Sequence, residues 1–124
     1  MATARLAARH LQRTAAAAPG VVGVDVAGDE GGFPLASDED PMAAGLREAA
    51  SLGVPATLHA GEWPERFGSV ANLRWAVTSG LVRRIGHGVA VRSAPELAPA
   101  LVAANITVEV SASKSCIRIA SEGS

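Results

Sequence analysis

Ala56-Thr57-Leu58-His59-Ala60-Gly61-Glu62 runs a short apolar stretch into a cluster of polar residues. Ala56-Thr57-Leu58-His59 has the length of a buried strand, and Gly61 lets the chain turn sharply where that strand stops. Three further runs share this character: Val21-Val22-Gly23-Val24-Asp25-Val26, Val82-Arg83-Arg84-Ile85-Gly86-His87 and Asn105-Ile106-Thr107-Val108-Glu109-Val110. Helical stretches separate them. Residues 42–52 follow Asp40-Pro41, an N-cap acid with proline at the first helical position, and Gly53 stops them. Residues 69–78 end near Gly80. The next helix begins with Ser93-Ala94-Pro95-Glu96, a capping-box pattern, and ends near Asn105. Ahead of all these, residues 1–18 read as a helix with Arg5, Arg9 and Arg13 on one face; the alternative is a transit peptide, since the segment has no acids and many alanines. The order is helix, then strand and helix three times, then strand. It predicts an α/β fold with parallel strands joined by crossover helices.

The bulk properties narrow the field. The chain has 124 residues, which suits one domain, and no linker divides it. With 48% hydrophobic and 19% charged residues it is ordinary globular material. A net charge of −1 gives no electrostatic reason to expect a nucleic-acid or membrane partner. No apolar run approaches the ~18 residues of a membrane span. The one cysteine, Cys116, has no internal disulfide partner, so a reducing, cytoplasmic setting is expected, with the thiol read as inert. Aromatics are few (Phe33, Trp63, Phe67, Trp75), so the core must come from Val, Leu, Ile and Ala. Residues 28–40 are the longest polar stretch, and Asp29, Glu30, Asp38, Glu39 and Asp40 read as acids of a solvated loop.

Polar residues gather where the strands end. Strand one carries Asp25 and leads into Ala27-Gly28-Asp29-Glu30. Strand two ends in His59-Ala60-Gly61-Glu62, strand three in Gly86-His87-Gly88, and strand four carries Glu109. In parallel α/β folds the C-terminal strand edge is where sites are built. Taken singly, each residue has a plain reading: His59 a satisfied polar group, Glu62 a solvated acid, Asp25 a cap for a neighbouring helix, His10 a surface residue. Together, two histidines and a glutamate suggest metal-assisted hydrolysis. A catalytic zinc takes neutral imidazole or carboxylate ligands and keeps a position for water, and a nearby glutamate can shuttle the proton. The glycines flanking these residues would let a substrate approach the backbone.

Three strings, in this order, add a resemblance. Val22-Gly23-Val24-Asp25-Val26-Ala27-Gly28-Asp29-Glu30, His59-Ala60-Gly61-Glu62 and Arg84-Ile85-Gly86-His87-Gly88 resemble the middle of adenosine deaminases, in the metal-dependent amidohydrolase superfamily. The resemblance covers about residues 21–110 and leaves 111–124 as an unplaced tail. It implies a partial (β/α)8 TIM-type barrel, with about four parallel strands equivalent to strands 4–7. It implies zinc as cofactor, with His59 as a ligand. Glu62 resembles the acid that protonates purine N1, and His87 the residue that orients the attacking water. Gly28 resembles the backbone donor to purine N3, with Asp25 or Asp29 supporting that loop. The implied reaction is hydrolytic deamination of adenosine or deoxyadenosine to the inosine product, in purine salvage.

The departures are as specific. The family's first-strand His-x-His pair and eighth-strand Asp-Asp pair are both absent; the only histidines are His10, His59 and His87. Where the family reads close to Cys-Pro-Thr-Ser-Asn, this chain has Ser111-Ala112-Ser113-Lys114-Ser115. Only one expected zinc ligand is present, while a catalytic zinc needs about three. A full barrel needs about 250 residues. The chain is therefore expected to be a fragment, a decayed remnant, or one that self-associates or takes a complementing fragment through its open sheet edges. Alone it is expected to be inactive and to hold zinc weakly. The alternatives are a non-catalytic half barrel with a purine-binding surface, and another amidohydrolase acting on adenine or modified purines.

Overall fold

The computed structural model describes residues 22–31, 40–63 and 68–111. The helix expected over residues 1–18, His10, Phe33, Asp38, Glu39, Phe67, Cys116 and the tail from 112 onward lie outside them. The described elements are β1 (Val24–Val26), α1 (Pro41–Ser51), β2 (Ala56–Ala60), α2 (Ser69–Ser79), β3 (Val82–His87), a 3-10 turn (Val89–Ser93), α3 (Leu97–Ala103) and β4 (Thr107–Glu109). The four strands form one sheet in the order β1-β2-β3-β4, and every pairing is parallel. This is the parallel α/β architecture that the alternation predicted, and it is consistent with the partial TIM-type barrel that the resemblance implied. No helix among the described residues is long and apolar enough to cross a membrane.

Local chemistry sets the helix ends. Asp40 adopts an extended backbone and its carboxylate accepts from Met42 N–H at 2.7 Å, with Pro41 opening α1. Asn105, at φ 54°, ends α3 in the left-handed conformation that asparagine tolerates. The capping box does not form. Ser93 closes the 3-10 turn, Glu96 makes no side-chain cap, and the turn is instead bridged by Leu97 N–H to Ala94 O at 2.9 Å. Glu96 reaches outward to Arg74. The local pattern was correct for a helix start but lost to a longer-range ion pair.

The sheet is two-faced. Ala56, Leu58, Ala60, Val82 and Ile85 are buried in one cluster with Leu46 of α1, Leu73 and Ala76 of α2, and Leu97 and Leu101 of α3. The core is aliphatic as expected, with Trp75 added. The alternate positions form polar rows. Asp25, Thr57, Arg84 and Thr107 share one register line; His59, Gly86 and Glu109 share another. Successive side chains of a strand point to opposite faces, so these rows occupy the face away from the helices. Arg84 spans neighbouring strands to Glu109, with its Nε 2.6 Å from Oε1. Both side chains are about half exposed, so this pair fills space on the polar face more than it stabilises the fold.

Candidate active site

Parallel strands bring their C-terminal ends to one edge. Pairing His59 with Gly86 and Ala60 with His87 sets the two histidines side by side. Their ring centroids are 5.2 Å apart, edge to face at 70°. Asp25 Oδ2 approaches His59 Nε2 to 3.3 Å across the β1–β2 pairing. Beyond the turn, Glu62 Oε1 lies 3.9 Å from His87 Nε2, and both side chains are mostly buried, at 20% and 14% exposure. The sequence-predicted residues Asp25, His59, His87 and Glu62 thus form one chain of neighbours. Among the described helices none is capped by Asp25; it faces a histidine.

Two backbone features fix this arrangement. Gly61 has φ 70°, and a Cβ there would stand 2.8 Å from Leu73 Cδ1 and 3.2 Å from Gly88 Cα. Only glycine satisfies both the turn and the packing. At Gly86 a Cβ would meet the His59 ring at 3.2 Å. At Gly86 the space beside the backbone is therefore taken by the protein's own imidazole. His87 has φ 78°, a rare backbone state for a side chain other than glycine, costing on the order of 1–3 kcal/mol. Gly88 N–H to Ala60 O and Ala90 N–H to Gly61 O, both 2.9 Å, tie the ends of β2 and β3 together and hold it there.

The main surprise is Glu30. Read from the sequence as a solvated loop acid, it is 2% exposed. Its Oε1 accepts from Gly61 N–H at 2.7 Å and Asn72 Nδ2 at 3.3 Å. Its Oε2 accepts from Glu62 N–H at 2.9 Å and Ser69 Oγ at 2.8 Å. Glu30, Ser69 and Asn72 are the buried polar residues among those described, and together they form this one network. The carboxylate also sits at the N-terminus of α2, where Gly68 supplies no side-chain cap and the helix dipole favours negative charge. Glu30 belongs to the first of the three strings that carried the family resemblance, which was the one sequence signal for it. Its neighbour Asp29 is exposed and turns back on Gly31 N–H at 3.1 Å; Gly28, just before it, is exposed.

A catalytic zinc asks for about three protein ligands. Among the described residues no three His, Cys, Asp or Glu side chains converge in a way that could hold a metal ion. His59 and His87 are adjacent, but His59 Nε2 faces Asp25. The described residues therefore do not fit a closed zinc site. A shallow cleft of about 180 Å³ lies at the opposite end of the sheet, near Val54, Pro55 and Leu81, away from these groups.

Comparison with known proteins gives a consistent picture. The family model described as adenosine deaminase matches residues 1–121, reaching past residues 21–110 on both sides. The chain is 42% identical over 91 residues to an adenosine deaminase of Enterococcus faecalis, covering 73% of this chain and 24% of that protein. It is 37% and 39% identical over 92 residues to adenosine deaminases of Lacticaseibacillus paracasei and Lacticaseibacillus casei. The chain spans about a quarter of the length of these curated relatives.

Proposed function

The chain belongs to the adenosine deaminase family, and from that premise we propose that its strand-end cluster is part of a site for hydrolytic deamination of a purine nucleoside. One observation carries the reading: Glu62, just past the end of β2, and His87, at the end of the adjacent parallel strand β3, are both mostly buried and face each other at 3.9 Å. That spacing leaves a proton donor and a water-orienting imidazole beside the same point. Glu62 would deliver a proton to purine N1 as water adds at C6. His87 would orient that water and stabilise the charge it develops. Ammonia leaves, and the product is the inosine nucleoside. The Gly28 amide, just past the end of β1, would donate to purine N3, with Asp25 or Asp29 supporting its loop. In the family's chemistry zinc supplies an activated water. His59 would be one of its ligands.

A second reading, a purine-binding half barrel without turnover, is favoured by the ligand inventory. The chain has three histidines, no His-x-His and no Asp-Asp. Both readings place the nucleoside on the same strand ends, in a cytoplasmic salvage setting, and in both β1 and β4, the outer strands among the described residues, would pair with a second copy or a complementing fragment. Titration of the isotope-labelled chain with adenosine tests what they share. Shifts are expected at the Gly28 amide and at the Glu62 and His87 signals; an unchanged spectrum at millimolar adenosine, or shifts confined to the opposite end of the sheet, would sink both. An absorbance assay with added zinc separates them. The chain alone is expected to show no turnover, and sustained turnover abolished by Glu62→Ala would overturn that expectation.

A further inference from the structure

We infer that Glu30 is a positioning residue for Glu62: its buried carboxylate holds the Gly61–Glu62 turn so that the Glu62 side chain lies against His87. The inference rests on the reading of Glu62 as the proton donor, but the geometry that supports it is independent of substrate. A glutamate carboxylate has two oxygens, and both are committed. Each takes one backbone N–H of the turn and one side chain of α2, namely Asn72 on Oε1 and Ser69 on Oε2. The turn is thereby pinned to a helix whose Leu73 and Ala76 are fully buried in the core. The second of these amides is that of Glu62 itself, so the clamp fixes where its Cα stands and thus where its side chain starts. Its carboxylate then meets His87, whose own strained backbone is held from the other side by the β2–β3 end bonds. A proton donor must sit within reach of the atom it protonates, and small displacements cost rate steeply. A residue that fixes the donor's backbone is therefore part of the working site without touching substrate.

Chemistry distinguishes this from space filling. Glutamine has the shape and volume of glutamate but offers one oxygen. Whichever way its amide is turned, the NH2 group faces either the Gly61 or the Glu62 N–H, and that backbone donor loses its acceptor. A packing role predicts that Glu30→Gln changes nothing; a clamp predicts selective loss. The experiment is amide hydrogen exchange and side-chain NMR on the full chain, compared with Glu30→Gln. The expected result is exchange about tenfold faster or more at Gly61 and Glu62, with Leu58 and Ile85 retaining their protection. The proton–proton contact between the Glu62 side chain and the His87 ring is expected to weaken in the same sample. Parent-like exchange and an intact Glu62–His87 contact would overturn the inference. If Glu30→Gln does not fold, Ser69→Ala decides, since it removes a single donor from the oxygen that Glu62 N–H shares. Faster exchange confined to the turn then supports the clamp, and unchanged or uniformly faster exchange refutes it. Adenosine added to the parent chain reports separately. Absence of any shift removes the nucleoside reading and leaves the clamp standing, whereas an intact contact in Glu30→Gln removes the clamp and leaves the nucleoside reading standing.

Discussion

Glu30 and Glu96 each stand close to the start of a helix, and each is bound to α2. Glu30 is buried and accepts four hydrogen bonds from the turn before α2 and from its first residues. Glu96 is exposed and pairs with the Arg74 guanidinium farther along α2. The difference is solvent. In water an ion pair exchanges one set of strong partners for another and gains little. Away from water, a carboxylate with every acceptor used becomes the reference point for its surroundings, because burial denies its donors a ready replacement from solvent. The same residue type therefore organises a site in one place and decorates a surface in the other.

The comparison breaks most visibly at Glu30 itself. Glu30→Ala leaves two backbone N–H groups, a hydroxyl and an amide without their acceptor. At 1–3 kcal/mol for an orphaned buried group, and with water partly refilling the space, the expected loss is about 3 kcal/mol. Urea unfolding measures it, and a loss under about 1 kcal/mol would mean the carboxylate is not the organiser proposed. Gly61→Ala probes the same turn from the backbone side. It places a methyl at φ 70° and 2.8 Å from Leu73 Cδ1. Left-handed strain plus overpacking should cost about 2 kcal/mol. If its unfolding midpoint matches that of the parent chain, the turn is softer than its hydrogen bonds imply.

The two glutamates also show what the sequence could reveal. Strand order, the aliphatic core, the Asp40-Pro41 helix start and the Asn105 stop all follow from neighbours within a few residues, and all are seen. The strand-end convergence of Asp25, His59 and His87 followed from the parallel pairing that the alternation implied. Glu30 did not follow, because its partners lie 31 to 42 residues away and nothing in Gly28-Asp29-Glu30-Gly31 separates a buried acid from a solvated one. Asp29, one residue earlier, really is exposed. Glu96 failed in the opposite direction. Its spacing from Ser93 spelled a capping box, but Ser93 belongs to a 3-10 turn and the glutamate found an arginine 22 residues back. Short-range patterns locate elements; they do not say which polar group the fold will enclose.

The smallest effect belongs to Glu96, and its pH dependence gives the comparison a second edge. A hydrogen bond from its own backbone amide, then Arg74, holds the Glu96 carboxyl below the usual glutamate value. A group whose folded pKa is lowered contributes stability that is fully present above its unfolded pKa. That contribution is lost as pH falls through the folded one. Parent and Glu96→Gln should therefore differ slightly in unfolding midpoint near neutral pH and converge in acid. Because the pair is exposed, added salt should shrink the difference at neutral pH as well. The measurement is a set of urea midpoints at neutral and acid pH, each at low and high salt. A gap that survived both acid and salt would mean Glu96 acts through packing rather than charge, and its contrast with Glu30 would no longer be one of solvent.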